Sequence, residues 1–114
     1  MKTVDMMTSR CADMELLQKC KEAIEDVVSD AEVVLYGSRA RGDAREDSDY
    51  DILVLTDEPA SMSMEEKLVE SLLPMELDSG KVLTIITYNR QQWDTPLYRA
   101  MPLHKNIDRE GVAL

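Results

Sequence analysis

Two short polar motifs in this sequence could do chemistry together. Gly37 and Ser38 follow a short apolar run, and after ten further residues Asp49 and Asp51 open a second apolar run. Since residues two apart on a strand point to the same face, both carboxylates are predicted to project together. Two such carboxylates repel each other unless a cation lies between them, and Mg²⁺ prefers hard oxygen ligands. The spacing therefore predicts a Mg²⁺ site on Asp49 and Asp51.

The Gly37–Ser38 pair has the features of a phosphate-binding turn. A glycine at a strand end permits close approach of a ligand, and Ser38 is predicted to open a short helix whose free amide groups favour phosphate. The Ser38 hydroxyl is a further donor. A metal site beside phosphate donors is what phosphoryl-group chemistry requires, because the metal neutralises charge and aligns a triphosphate. Alternatively, Gly-Ser is a plain strand-to-helix turn and Asp-Tyr-Asp a solvated strand start. Their combination at this spacing should arise by chance in roughly one chain in a thousand.

Basic residues surround this predicted site in an otherwise acidic chain. Arg39, Arg41 and Arg45 lie between the two motifs. A guanidinium group binds phosphate well, so Arg39 or Arg41 is predicted to contact a triphosphate. The alternative is that these arginines pair with the acidic residues of the same turn. His104, the only histidine, has no partner motif and is predicted to lie at the surface.

The first half of the chain supplies the elements that would position these residues. Apolar residues at helical spacing predict a helix over 13–29. Runs rich in β-branched residues predict strands over 32–37 and 49–55, with a short helix and a loop between them.

The second half continues the alternation of helices and strands. Ser63 and Glu66 form a capping-box signature for a helix over 64–79, which Pro74 should kink or split and Gly80 should end. A third strand is predicted over 81–88. Asn89 and Gln92 form another capping box, with Tyr88 and Trp93 as a hydrophobic staple. Prolines 96 and 102 then break the tail into short helices, and Gly111 ends the last one.

This order of elements predicts one α/β domain with a small sheet of three or four strands and helices packed mainly on one face. The domain is assigned to residues 12–114, and residues 1–11 are interpreted as a flexible N-terminal extension. The pattern alone leaves open whether the sheet is mixed or parallel.

The composition and net charge limit the kinds of binding partner that the chain can have. The 114 residues carry a formal net charge of −10, which argues against a nucleic-acid partner and against an anionic membrane surface. The first ten residues lack the apolar segment of a signal peptide, and no run reaches the length of a membrane span, so a cytoplasmic location is expected. Cys11 and Cys20 are predicted to lie on opposite faces of one helix as free thiols.

The segment GSRARGDAREDSDYDILVL resembles the signature of the DNA polymerase beta-like nucleotidyltransferase superfamily, and within it the minimal nucleotidyltransferases of HEPN/MNT toxin-antitoxin pairs. The resemblance implies a mixed sheet and transfer of a nucleoside monophosphate, expected to be AMP, from ATP or another nucleoside triphosphate to a hydroxyl group. Gly37 and Ser38 would hold the triphosphate, and Asp49 and Asp51 would bind one or two Mg²⁺ ions. The acceptor would be a small helical HEPN-type protein, with this chain as its antitoxin. Whether the chain forms an oligomer is left open.

One position departs from the family pattern. The family carries a third carboxylate on the next strand, and the best alignment places Thr84 there. Glu76 and Asp78 are the nearest acidic residues on the preceding helix. A neighbouring carboxylate substitutes, or the partner supplies one, or catalysis is weak or lost. The alternative function is therefore an inactive nucleotide-binding module that neutralises a HEPN-type partner by stoichiometric binding. Transfer to a small molecule such as an aminoglycoside is disfavoured, because the chain lacks room for an acceptor domain.

Overall fold

The computed structural model describes Lys2–Thr3, residues 11–59 and residues 61–114. The predicted N-terminal extension, residues 1–11, falls mostly outside these residues, as does the side chain of Cys11. Cys20 is a buried free thiol on the first helix, as predicted for it. No helix in the described ranges is long and apolar enough to span a membrane.

A mixed sheet of five strands forms the centre of the domain, in the order β1-β5-β2-β3-β4. The central pair β2–β3 is antiparallel, whereas β3–β4 is parallel. At the other side, β5 pairs antiparallel with β2 and parallel with β1. The strands are β1 (Lys2–Thr3), β2 (Glu32–Tyr36), β3 (Tyr50–Thr56), β4 (Leu83–Asn89) and β5 (Val112–Ala113).

The mixed α/β fold is confirmed, and its three long strands are the predicted ones. The structure adds β1 and β5, which have two residues each and are too short to give a periodic pattern. The helices are α1 (Cys11–Val27), α2 (Ser38–Arg41), α3 (Met62–Ser79), α4 (Arg90–Trp93), α5 (Pro96–Arg99) and α6 (Pro102–Glu110).

The two long helices, α1 and α3, cover one face of the sheet, as expected. Leu17, Ile24 and Leu68 pack there against the sheet residues Leu35 and Ile52. Burying an aliphatic side chain of this size contributes about 1.5–3 kcal/mol, so this layer supplies much of the stabilisation.

The three short helices α4, α5 and α6 cover the opposite face. Trp93 and Ile107 pack against Val34, Leu53 and Leu55 in a second, smaller core. Because alternate residues of a strand point to opposite faces, Asp51 lies on this side of β3 together with Leu53. The smaller core therefore borders the candidate site.

Helix ends follow the predicted chemistry with one correction. Ser61, not Ser63, caps α3, since its hydroxyl accepts a hydrogen bond from the amide of Met64. The helix also continues through Pro74 without splitting. The Asn89 cap is confirmed, because its side-chain oxygen accepts from the amide of Gln92.

Candidate active site

Gly37 lies directly against the carboxylate of Asp51. Tyr36 and Asp51 are register partners in the antiparallel pair β2–β3, so the next residue, Gly37, ends beside Asp51. Gly37 has a φ of 77°, and a Cβ atom there would overlap Asp51 Oδ2. Only glycine meets both conditions without strain. The fold thus brings the two halves of the motif into contact.

Asp49 and Asp51 stand at the start of β3. Asp51 is half-buried and Asp49 is exposed. Burial, and then the charge of Asp49, raise the pKa of Asp51, while the charge of Arg41 opposes this shift. A partly buried carboxylate beside a second one is an arrangement that a bound cation relieves. These two side chains therefore fit a Mg²⁺ ion, for which they supply hard oxygen ligands.

Thr84 occupies the position beside Asp51 on the neighbouring strand. The two residues are register partners in the parallel pair β3–β4, and the Thr84 side chain is exposed. This register agrees with the alignment that placed Thr84 where a third carboxylate stands in the family. In the described part of the chain, no group of three or more His, Cys, Asp or Glu side chains could hold a metal ion.

The nearby acids of α3 do not replace that carboxylate. Glu76 turns toward the start of β4, where its Oε2 accepts a hydrogen bond of 3.1 Å from the amide of Leu83. Helix α3 packs on the face of the sheet opposite to that of Asp51. Glu76 and Asp78 therefore lie on the wrong side to complete the site.

The turn at Ser38 presents backbone donors. The amides of Ala40 and Arg41 donate to the carbonyl of Gly37, whereas those of Ser38 and Arg39 have no acceptor among the described residues. With only four residues, α2 has little of the dipole that a longer helix would contribute. The backbone of this turn therefore offers two amides to a phosphate, and Ser38 adds its hydroxyl.

Arg39 is engaged with the loop that leads to Asp49. Its Nη2 donates to the carbonyls of Glu46 at 3.0 Å and Ser48 at 2.9 Å. Its guanidinium carbon lies 4.6 Å from the centroid of the Tyr50 ring, within the range of a cation–π contact. These contacts fix the loop in front of β3. Arg39 thereby helps to set the position of Asp49.

Arg41 forms a different set of contacts. Its Nε lies 3.2 Å from Asp43 Oδ2, and its Nη1 lies 3.2 Å from Glu110 Oε1 at the end of α6. Hydrogen bonds to Asp43 and Glu110 raise the pKa of Arg41. Sequence reasoning missed Glu110, because it lies 69 positions away from Arg41 and belongs to no local motif.

Aromatic residues line the sheet beyond Asp51. The Tyr88 and Trp93 rings are 5.0 Å apart, which confirms the predicted staple. Burial and then the charge of Asp51 raise the pKa of Tyr36 to about 12. His104 is buried, contrary to the surface position predicted for it, because it stacks on Trp93 at 4.3 Å.

Comparison with known proteins identifies the family. A model of the nucleotidyltransferase domain matches residues 15–103, and the chain therefore belongs to this family of nucleotidyltransferases. A protein of Methanocaldococcus jannaschii named "Putative protein adenylyltransferase" is 29% identical over 79 residues, which are 68% of this chain and 80% of that protein.

Two of the solved structures that resemble this chain bear on its class. One, described as a "putative minimal nucleotidyltransferase", has a TM-score of 0.57 and 26% identity, covering 89% of this chain and 94% of its own. The other is a tri-AMPylated Shewanella oneidensis HEPN toxin in complex with an MNT antitoxin. It matches with a TM-score of 0.57 and 14% identity, covering 88% of this chain and 69% of the matched chain. A chain with this fold is thus also present in a toxin-antitoxin complex.

Proposed function

We propose that this chain is a Mg²⁺-dependent, cytoplasmic nucleotidyltransferase that moves AMP from ATP to a hydroxyl group of a partner protein. The observation that carries the proposal is the contact between the Gly37 turn and Asp51. It puts backbone donors for phosphate next to two carboxylates that suit a divalent cation. The adenylyltransferase name of the archaeal relative supports AMP as the transferred group.

Each residue of the site has a distinct role in this proposal. Asp49 and Asp51 would hold Mg²⁺, which when bound neutralises charge on the phosphates and orients them. The amide of Ser38 and its hydroxyl would donate to the triphosphate. Arg41 would contact the same phosphates, because it lies on α2, which begins at the Gly37 turn beside Asp51.

The proposed transfer needs only the nucleoside triphosphate and the acceptor hydroxyl as reactants. The acceptor oxygen forms a bond to the α-phosphorus, and the bond from that phosphorus to the bridging oxygen breaks, which releases pyrophosphate. The acceptor hydroxyl loses its proton. Since Thr84 cannot accept it, we propose that a carboxylate of the partner or solvent does so.

The proposed partner is a small helical protein of the HEPN type, in a toxin-antitoxin pair. The similar solved complex joins an MNT antitoxin to a HEPN toxin that carries AMP groups, which supports both this partner and the modification. The chain would then act as the antitoxin by adenylylating the toxin.

Labelled ATP provides the direct test. The purified chain is incubated with Mg²⁺, α-phosphate-labelled ATP and a lysate of its source cell, alongside Asp49→Asn/Asp51→Asn. The matched control is Asp26→Asn/Asp78→Asn, which removes the same charge from two exposed positions. We expect a labelled protein band with the wild type and the control, and none with the site variant. Equal labelling by all three would refute the role of the two carboxylates.

A second candidate function is a non-catalytic antitoxin that neutralises its partner by binding alone. Thr84 favours this function because the third carboxylate is missing, and an apolar surface on α3 favours it as well. This surface consists of four residues on one side of the helix that are each at least 49% exposed, namely Met62, Val69, Leu73 and Leu77. We name these four residues the α3 patch. Acidic residues flank it, so it suits an apolar partner helix edged with Lys or Arg rather than a second copy of this chain.

Substitutions in the α3 patch and at the two aspartates distinguish adenylylation from neutralisation by binding alone. Val69→Ser/Leu73→Ser should abolish co-purification with the co-expressed HEPN-type partner, while Leu97→Ser, at a still more exposed site on α5, should not. If Asp49→Asn/Asp51→Asn still neutralises the partner, binding alone is sufficient. Loss of neutralisation with retained binding would instead favour adenylylation.

A further inference from the structure

We infer that Glu110, at the end of α6, is a positioning residue that holds the Arg41 guanidinium where it meets the triphosphate. The inference rests on the proposed function and adds to it a residue from the opposite end of the chain. Two carboxylates contact Arg41, those of Asp43 and Glu110, and they differ in their exposure to solvent.

The contact from Glu110 is the better sheltered of the two. The Glu110 side chain is 11% exposed and the Asp43 side chain is 62% exposed. Both oxygens of Glu110 lie near the same nitrogen, Nη1 of Arg41, at 3.2 and 3.3 Å. An ion pair sheltered from water is screened less by solvent and salt than an exposed one. Glu110 therefore restrains Arg41 more strongly than Asp43 does.

Glu110 is itself held by a rigid part of the fold. It is the last residue of α6, and the amide of Gly111 closes that helix with a 2.7 Å hydrogen bond to the carbonyl of Ile107. Ile107 is fully buried, and a Cβ atom on Gly111 would collide with the Ile107 carbonyl and crowd Val34. The end of α6 is thus packed against β2. The position of Glu110 is fixed by the core and not by α2, which carries Arg41.

The remaining nitrogen of the guanidinium is the one available to a ligand. Nε pairs with Asp43 and Nη1 with Glu110, whereas Nη2 has no hydrogen-bond partner among the described residues. Arg41 is the last residue of α2, and its amide donates to the carbonyl of Gly37, the residue that lies against the proposed metal ligand Asp51. An arginine that a sheltered carboxylate already holds loses less conformational entropy on binding phosphate than a free one. Glu110 would thus prepare Arg41 for a phosphate oxygen.

A double-mutant cycle tests this role. The affinity for a non-hydrolysable ATP analogue with Mg²⁺ is measured for the wild type, Glu110→Ala, Arg41→Ala and the double variant. Asp43→Ala is the matched control, since it removes the exposed carboxylate from the same arginine. We expect Glu110→Ala to weaken binding about tenfold, as loss of a charge-assisted contact would. Asp43→Ala should weaken it by no more than about twofold.

The decisive result lies in the double variant. If Glu110 acts through Arg41, Glu110→Ala has no further effect once Arg41 is replaced. A tenfold loss that persists without Arg41 would mean that Glu110 acts on the metal or the nucleotide directly, or only on the fold, and would overturn the inference. Thermal unfolding of each variant, and of Glu110→Gln as a milder change, identifies damage to the fold.

The outcome for the proposed function is read separately from the wild type. If the wild-type chain does not bind the analogue, the proposed function fails and the inference fails with it. If the wild type binds and Glu110→Ala binds equally well, only the role of Glu110 is overturned.

Discussion

Thr84 stands directly beside Asp51, one strand across in the parallel pair of β3 and β4. Its side chain is exposed on the same face of the sheet as the Asp51 carboxylate. A hydroxyl group is a weaker ligand for a divalent cation than a carboxylate. Asp51 thus has a hydroxyl as its neighbour where the family resemblance implies a third carboxylate.

The first prediction follows from that position. Thr84→Asp should raise the affinity for Mg²⁺ and the rate of AMP transfer, each by at least about tenfold, because it supplies the missing ligand. Without metal it should lower the melting temperature, since a third negative charge then faces Asp51. Leu97→Asp adds the same charge at a distant exposed position and controls for it. Titration of the melting temperature with Mg²⁺ measures the affinity and label incorporation from ATP measures the rate; equal responses of the two variants would contradict the prediction.

A second prediction concerns the close approach of Gly37 to Asp51. Gly42→Ala places a side chain in the left-handed helical region (φ 86°, ψ 9°), which costs about 1–2 kcal/mol, and Gly37→Ala places one at φ 77° and ψ −159°, a region that glycine almost alone adopts, at a cost of about 1–3 kcal/mol. Only at Gly37 would the new Cβ overlap the Asp51 carboxylate, since nothing lies within 4 Å of it at Gly42. Urea unfolding should show the larger loss of stability for Gly37→Ala. Nucleotide binding should be lost for Gly37→Ala alone, and its loss for both variants would attribute the effect to backbone strain.

The local parts of this fold and site are visible in the sequence. Strands β2, β3 and β4 follow from runs of β-branched residues, and the motif from Gly37 to Asp51 follows from spacing within one stretch of chain. The contact between Arg41 and Glu110 does not, because tertiary packing of α6 alone brings the two together. The choice of Ser61 over Ser63 as the cap of α3 likewise depends on packing. In the structure, Met64 is buried in the first turn of the helix that Ser61 begins.

A third prediction uses the pKa of Asp51, which burial and then Asp49 raise above its ordinary value. A carboxyl whose pKa is higher in the folded than in the unfolded state costs stability once the pH rises through the folded value. Asp51→Asn should therefore increase the free energy of unfolding near neutral pH in metal-free buffer. The gain should stay below about 1 kcal/mol, because solvent screens a partly exposed group.

Mg²⁺ should reverse this order of stability, so that the wild type becomes more stable than Asp51→Asn. Mg²⁺ should stabilise the wild type and leave Asp51→Asn unchanged, since a ligand stabilises only the state that binds it. The matched variant Asp26→Asn, on the exposed side of α1, should respond like the wild type. Thermal unfolding with EDTA and with Mg²⁺ measures both effects. A metal-free Asp51→Asn variant less stable than the wild type would show that the carboxylate serves the fold instead.

A fourth prediction concerns Asp30, at the end of the sheet opposite to the candidate site. Its oxygens accept hydrogen bonds of 2.8 Å from the Asp57 amide and from Thr56 Oγ1, and these contacts lower its pKa. A carboxyl whose pKa is lower in the folded state stabilises the protein above its unfolded value, and this contribution disappears as the pH falls through the folded value. Asp30→Asn should therefore lower the free energy of unfolding at neutral pH but change it little in strong acid. Urea unfolding at both pH values measures this, and an equal loss at both would show that packing and not charge is responsible. Nucleotide affinity should be unchanged, because Asp30 stabilises the sheet from the far end.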